Sequence, residues 1–244
     1  NVWCAAGKGT FGTRELIARI KASKLAQVVT QRSLILPILG APGVAAHEVT
    51  KATGFTVRYG TIRAEDLPAY LDGNQTTTPA MRELSFTLYE RLVLIPVELV
   101  HALKSTTIIT LGLFLLGLLL SNITSGIMAA GAYLGAMLTG VALGPLLLPW
   151  LPGKSFALKG AIAGLLWSTA WYLLAGGANW GLATTLATFL TLPAVSAFYT
   201  LNFTGCTPYT SPTGVKREMH RALPIMGSAI LLGVLLLIAS RFMP

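Results

Sequence analysis

The sequence predicts an α/β domain with parallel strands, followed by an all-α membrane bundle of five transmembrane helices. Three observations carry this reading. The chain of 244 residues is 53% hydrophobic and only 11% charged, with a mean hydropathy of +0.66, too apolar for an ordinary soluble domain. Its charges are unevenly spread, since residues 1–104 hold 12 of the 18 Lys and Arg and 8 of the 9 Asp and Glu. Short apolar runs alternate with amphipathic stretches before Lys104, whereas after it apolar stretches recur at the length of about 20 residues that spans a bilayer. The expected domains are 1–104 and 105–244.

In the first domain, Val2-Trp3 reads as the end of a buried strand, and Ala5-Ala6-Gly7 is small enough for close backbone approach. Thr13 is the expected N-cap of an amphipathic helix running to about Gln27, with Glu15 in its first turn and Leu16, Ile17, Ile20 and Leu25 on one face. Ser33–Leu39 is an apolar run read as a buried strand, closed by the turn Gly40-Ala41-Pro42-Gly43. Val44–Thr53 is a helix stopped by Gly54, and Phe55–Tyr59 is a second strand closed by Gly60. Ala64–Leu71 is a short helix, and Thr78-Pro79 is expected to cap and open a longer one toward Lys104, kinked at Pro96. In parallel sheets ligands sit at the carboxyl ends of strands, where the 4–12 and 40–43 loops are expected.

The second domain contains apolar stretches at 107–123, 127–151, 157–175, 180–201 and 223–240. The net charge of +9 divides as +4 before residue 105 and +5 after it. Lys104, Lys154, Lys159, Lys216, Arg217 and Arg221 flank alternate connections, while 122–126 and 176–179 carry no positive charge. The positive-inside rule then places the first domain in the cytoplasm and the C-terminus outside. The basic excess fits cytoplasmic loops rather than nucleic-acid binding, because no basic-aromatic stripe accompanies it. The spans lack deep charged residues, which disfavours an ion pump or transporter. Gly131-x-x-x-Gly135, Gly140-x-x-x-Gly144 and Gly160-x-x-x-Gly164 permit close helix packing, more naturally within the bundle than between copies. The connection from Asn202 to Ser211 is long and polar, and is read either as an ordered helix connection or as a loop that touches the soluble domain or a substrate.

Two distant cysteines, Cys4 and Cys206, give no disulfide framework and no cluster motif. Gly7-Lys8-Gly9-Thr10-Phe11-Gly12 matches the dinucleotide fingerprint, but the acidic residue expected about 20 positions on is absent, and Arg32, Ser33 and Leu34 stand there. A phosphate loop fits less well, since Lys8 is followed by Gly9. A nucleophilic cysteine needs a base, for which His47 is the candidate. A lone cysteine holds neither an iron–sulfur cluster nor a structural zinc, but it is sufficient as one axial thiolate to a metal held by a macrocycle. Composition alone leaves a buried structural cysteine as the default.

Asn1-Val2-Trp3-Cys4-Ala5-Ala6-Gly7-Lys8 resembles the cap-helix signature of the HgcA family, the membrane corrinoid proteins of microbial mercury methylation. The 36–47 stretch, the stretch from Arg58-Tyr59-Gly60 to Leu71, the five spans, Asn202-Phe203-Thr204-Gly205 and Val215-Lys216-Arg217-Glu218-Met219 extend the resemblance over essentially the whole chain. The related corrinoid iron–sulfur proteins carry a cluster motif that this chain lacks. The resemblance implies a Rossmann-like corrinoid-binding domain, N-terminally truncated here, because the family's upstream segment completes the cradle.

The resemblance further implies a methyltransferase that passes methyl from methyl-Co(III) of a cobalamin-type corrinoid to Hg(II). Cys4 is then the catalytic residue and the lower axial cobalt ligand. Asn1, Val2, Trp3, Ala5, Ala6, Gly7, Lys8 and Thr10, with Gly40 and Gly43, are the implied corrinoid contacts. Cys206 is read either as a local variation or as a soft Hg(II) contact. The implied partners are a folate-type methyl donor and the ferredoxin-like 4Fe-4S protein HgcB as electron donor, and the implied location is the cytoplasmic (inner) membrane. A membrane corrinoid carrier serving another acceptor, or a dinucleotide-binding membrane oxidoreductase, are the alternatives.

Overall fold

The computed structural model describes residues 6, 9–206 and 212–240. The chain divides into two compact units, 1–85 and 86–244. Each is built on a different principle.

In the first unit, helix α1 (Thr13–Ala22) begins after Gly12, which occupies the N-cap position expected for Thr13. The Thr13 hydroxyl is engaged elsewhere, accepting from the Ala45 amide at 2.8 Å. The helix was expected to continue to Gln27, but Lys24 adopts a left-handed conformation (φ 50°) and ends it, so that α2 (Leu25–Val28) is a separate turn. Strand β1 (Ser33–Leu36) stops at Pro37, shorter than the apolar run suggested, and a 3-10 turn Ile38–Gly40 follows. Helix α3 (Ala46–Thr53) ends at Gly54, whose φ of 77° is the left-handed cap the sequence called for.

Strand β2 (Thr56–Tyr59) pairs parallel with β1, Ser33 opposite Thr56 and Leu36 opposite Tyr59. The crossover through α3 makes this a parallel β-α-β unit. The sheet has two strands among the described residues, so a Rossmann-like domain is not seen at this size. The expected strand end at Val2-Trp3 lies outside the described residues. Ile20, Val44, Val49 and Phe55 form the core, with Leu16, Ile17 and Leu25 packed against them, as the helical periodicity required. Arg32 stacks over the Phe55 ring at 5.2 Å and donates to the Val29 and Ala26 carbonyls that end α2. A 3-10 turn Ala64–Asp66 leads into α4 (Leu67–Asp72), which buries Tyr70.

Thr78-Pro79 opens only the 3-10 turn Ala80–Arg82. The long helix α5 (Leu88–Leu120) is capped instead by Thr87, whose side chain and the Glu90 carboxylate satisfy each other's backbone amides in a capping box. The backbone is extended at Glu83, whereas Thr87-x-x-Glu90 supplies a reciprocal cap and Leu88, Leu92, Val93, Leu94 and Ile95 follow it. Helix α5 passes through Pro96 and Lys104, so the step in charge density falls inside a helix and the unit boundary lies earlier.

The second unit continues with α6 (Ile123–Leu138), started by the Asn122 side chain accepting from the Ser125 amide. It runs on through a π-helical turn, Thr139–Leu143, and a last turn, Gly144–Leu146. Helices α7 (Phe156–Leu174), α8 (Leu182–Asn202) and α9 (Pro212–Ala239) complete the bundle. Four helices are long and apolar enough to cross a membrane: α5, α6 with its extension, α8 and α9. Five spans were expected. The fifth forms as α7, but Lys159 and its Ser, Thr, Trp and Tyr residues leave it less apolar than the other four. Lys216, Arg217 and Arg221, expected in a loop, lie on the first turns of α9, because the helix starts at Pro212, a residue suited to a first turn.

Small residues let the helices of this unit touch. A Cβ on Gly140 would fall 2.5 Å from the Ser196 carbonyl oxygen, and one on Gly164 would fall 2.6 Å from the Pro193 Cα. Gly131 and Gly135 admit the rings of Trp171 and Trp167, and the Trp167 indole donates to the Ala132 carbonyl at 3.0 Å. The three small-xxx-small pairs are thus engaged within one bundle, as expected. Buried hydroxyls join the helices. Ser196 donates to the Ala136 carbonyl and Thr200 to the Gly140 carbonyl, beside the π turn that shifts the regular helical bonding. Tyr199 on α8 bonds both Tyr133 on α6 (2.7 Å) and Thr106 on α5 (3.2 Å).

Candidate functional site

The site expected from the sequence is the junction of the first loop with the loop after β1. Its described part is well defined. The Thr13 amide donates to the Gly43 carbonyl at 3.0 Å, and the Ala45 amide donates to the Thr13 hydroxyl at 2.8 Å. The Phe11 ring covers Gly40, where a Cβ would fall 2.6 Å from a ring carbon. Gly43 is closed by the Phe11 carbonyl oxygen and by Ala6, at 2.5 and 3.0 Å from where its Cβ would be. The Tyr59 hydroxyl, at the end of β2, donates to the Val44 carbonyl. Both strands therefore deliver their carboxyl ends to this junction, the position where parallel sheets bind ligands.

The expected site residues divide into three groups. Ala6, Gly40 and Gly43 come together, and the space beside the two glycines is filled by the protein's own Phe11 and Ala6. Gly9 and Thr10 lie on the exposed side; Gly9 has φ 79° and open space where its Cβ would be. Asn1, Val2, Trp3, Cys4, Ala5, Gly7 and Lys8 lie outside the described residues. His47, the candidate base, is exposed on α3. Phe11, Thr13 and Tyr59 hold the junction together and were not singled out for that purpose. The signal for Phe11 was present, as the one large apolar residue in a run of small and polar ones.

The donor set bears on the kind of cofactor that fits. A bare metal ion asks for three or four protein ligands. Among the described residues no three of His, Cys, Asp or Glu gather in one place. A metal within a macrocycle asks for one axial donor, and Cys4, outside the described residues, is a single soft thiol of that kind.

The polar connection after α8 is more buried than its composition suggested. Asn202 ends α8, and a 3-10 turn Phe203–Cys206 follows. Phe203 is fully buried with Leu148 and Phe156, against Phe86 and Leu94, and Thr204 is buried as well. That part is an ordered helix connection. The Cys206 side chain and residues 207–211 lie outside the described part.

The fold and site define a membrane protein with a small parallel α/β unit whose loop junction lies directly after a cysteine. The chain matches no protein-family model, and no curated protein or solved structure is detectably similar to it.

Proposed function

We propose that this chain is a corrinoid-dependent methyltransferase of the HgcA type, anchored in the cytoplasmic membrane, that passes a methyl group to Hg(II). The observation that carries the proposal is the string Asn1-Val2-Trp3-Cys4-Ala5-Ala6-Gly7-Lys8, which leads into a segment seated at the carboxyl ends of two parallel strands. When bound, the corrinoid supplies a cobalt that accepts and releases a methyl group. Cys4 would hold that cobalt. Its thiolate is a strong, polarisable donor, which would favour methyl release toward a soft electrophile such as Hg(II). Val2, Trp3, Ala5 and Gly7 would contribute small and apolar contacts to the corrinoid, and Asn1, Lys8 and Thr10 would contribute polar ones. Phe11, Gly40 and Gly43 fix the segment that carries Cys4.

The chain's two cysteines are too few to hold an iron–sulfur cluster. Electrons are therefore assigned to a separate ferredoxin-like partner of the HgcB type, and the methyl group to a folate-type donor. Cys206 is a local variation in this reading, with a soft contact for Hg(II) as the alternative.

The membrane topology proposed is five crossings, with residues 1–85 in the cytoplasm and the C-terminus outside. Packing within the second unit supports this. Phe86, Leu94, Leu148, Phe156 and Phe203 cluster together, which gathers the start of α5, the end of the α6 segment, the start of α7 and the end of α8. The Glu218 carboxylate accepts from the Ser155 hydroxyl and the Ala157 amide, adding the start of α9 to the same end. Since α8 returns to the end where α7 began, α7 covers the same depth. Arg91, Lys154, Lys159, Lys216, Arg217 and Arg221 all belong to this end, as the positive-inside rule requires of a cytoplasmic face.

The test is the visible spectrum of the protein produced with cobalamin, alongside methylmercury formation from Hg(II). The expected result is a bound corrinoid whose spectrum changes in Cys4→Ala, with methylation lost. Absence of a corrinoid band rejects the proposal, and retained methylation in Cys4→Ala rejects the axial role. Methyl transfer to another acceptor but not to Hg(II) makes the protein a carrier of a different specificity.

A further inference from the structure

A groove of about 570 Å³ runs between α7, α8 and α9, walled by small and apolar residues and entered past Lys154, Arg217 and Arg221. Its volume lies within the range of about 300–1,000 Å³ typical of sites for one small molecule. Along α9 its lining runs from Gly214 to Ala229, and the stretch beyond the basic residues, from Arg221 to Ala229, is about 12 Å deep at 1.5 Å per residue. One leaflet of a bilayer is about 15 Å of hydrocarbon. The walls match that medium, with Ala161 on α7, Ala194 on α8 and Ala222 on α9 leaving a channel that longer side chains would close.

The mouth is chemically different. Lys154, Arg217 and Arg221 are exposed and make no salt bridge among the described residues. The acidic residue at this mouth, Glu218, is already engaged: its carboxylate accepts from the Ser155 hydroxyl at 2.7 Å and the Ala157 amide at 2.8 Å, at the N-terminus of α7. It is spent on the positive end of a helix rather than on the cations. Arg217 and Arg221 are four residues apart, so they share one face of α9.

From this juxtaposition of a deep apolar groove with three cations that make no salt bridge among the described residues, we infer that the groove binds one anionic phospholipid. An acyl chain lies against the alanine-lined walls, and the headgroup phosphate lies between Lys154, Arg217 and Arg221. Arginine suits this position, because its planar fork pairs with phosphate oxygens. The inference is independent of the corrinoid proposal and needs only that the second unit resides in a membrane.

The experiment uses the whole chain purified in mild detergent and placed in nanodiscs of phosphatidylcholine, with or without phosphatidylglycerol. Retained lipid is read by native mass spectrometry, and thermal stability is read in parallel. Phosphatidylglycerol is expected to be retained in preference and to raise the melting temperature. Arg217→Gln and Arg221→Gln are each expected to weaken its retention about fivefold, and the double variant about twenty-five-fold. Ala161→Phe, which fills the groove and leaves the cations in place, is expected to abolish retention. Equal retention of the zwitterionic and anionic lipids overturns the inference, as does unchanged retention in the double variant. Stabilisation by inorganic phosphate alone, undiminished in Ala161→Phe, also overturns it, since it would mark a phosphate site that needs no acyl chain. Should Ala161→Phe fail to fold, the double arginine variant decides alone.

Discussion

The two units of this protein place their glycines differently. In residues 1–85 the core is built from large apolar side chains, and glycine lies at the joints around them. Val49 and Phe55 are fully buried in that core, while Gly40 and Gly43 let the Phe11 segment close over the loop after β1. In residues 86–244 glycine lies on the helices themselves. Gly140, Gly144, Gly160 and Gly164 line both sides of α8, facing Pro193, Ser196, Ala197 and Thr200. The difference follows from the solvent. In water, burying a large ring is itself a driving force, so cores are made of large residues. In lipid that force between helices vanishes, so close backbone approach and internal hydrogen bonds replace it.

The sharpest way to break this contrast is to damage each unit by the other's rule. Phe55→Ala leaves a cavity in the smaller core and is expected to cost about 3–5 kcal/mol. The expected signature is protease cleavage within residues 1–85 while the detergent melting of the bundle stays unchanged. Joint loss of both signals would show that the two units do not fail independently. A smaller change that strikes only the bundle is Gly140→Ala. One methyl group driven against the Ser196 backbone is expected to cost about 1–3 kcal/mol, seen as a lowered melting temperature in detergent. In a water-facing helix the same substitution would stabilise by up to about 1 kcal/mol, so the sign of the effect distinguishes the two environments. The smallest expected effect lies at the start of α5. Thr87→Ala removes one half of the capping box and is expected to cost about 1 kcal/mol, with fraying of the first turn seen as faster amide exchange at Glu90 and Arg91.

Periodicity made the interior of each element legible, while boundaries depended on neighbours that the sequence does not show. Leu16, Ile17, Ile20 and Leu25 recur with a helical period, and they meet the core as read. Gly54 stops α3 because a left-handed cap favours glycine. Lys24 takes a left-handed conformation with no such local mark, and the break it makes in the helix was invisible. Thr78-Pro79 and Thr87-x-x-Glu90 are both start signals, and only the second forms a reciprocal capping box. The basic turns of α9 were read as loop because charge was taken for water exposure, yet long cationic side chains sit readily where a helix leaves a bilayer.

Of the candidate site, the meeting of the two loops was legible from their places after a cysteine-bearing segment and after β1. What fills the space beside the glycines was not. Nothing local in Gly40 or Gly43 tells whether a cofactor or Phe11 will take the room, because both demand the same absent Cβ. The groove beside α9 was equally hidden, since its walls are three separate helices whose alanines are unremarkable one at a time.

The paired hydroxyl bonds between α8 and α6 have a mechanical meaning. Their donors, Ser196 and Thr200, are four residues apart, and so are their acceptors, Ala136 and Gly140. The spacing acts as an index. A slide of one helical turn, about 5.4 Å, leaves one of the two hydroxyls without its acceptor and drives side chains into the glycine contacts. Translation along this seam is locked, so α6 and α8 form a fixed rail. Helix α9 meets that rail through alanines and the small contact of Gly233 with Thr191, with no comparable index among the described residues.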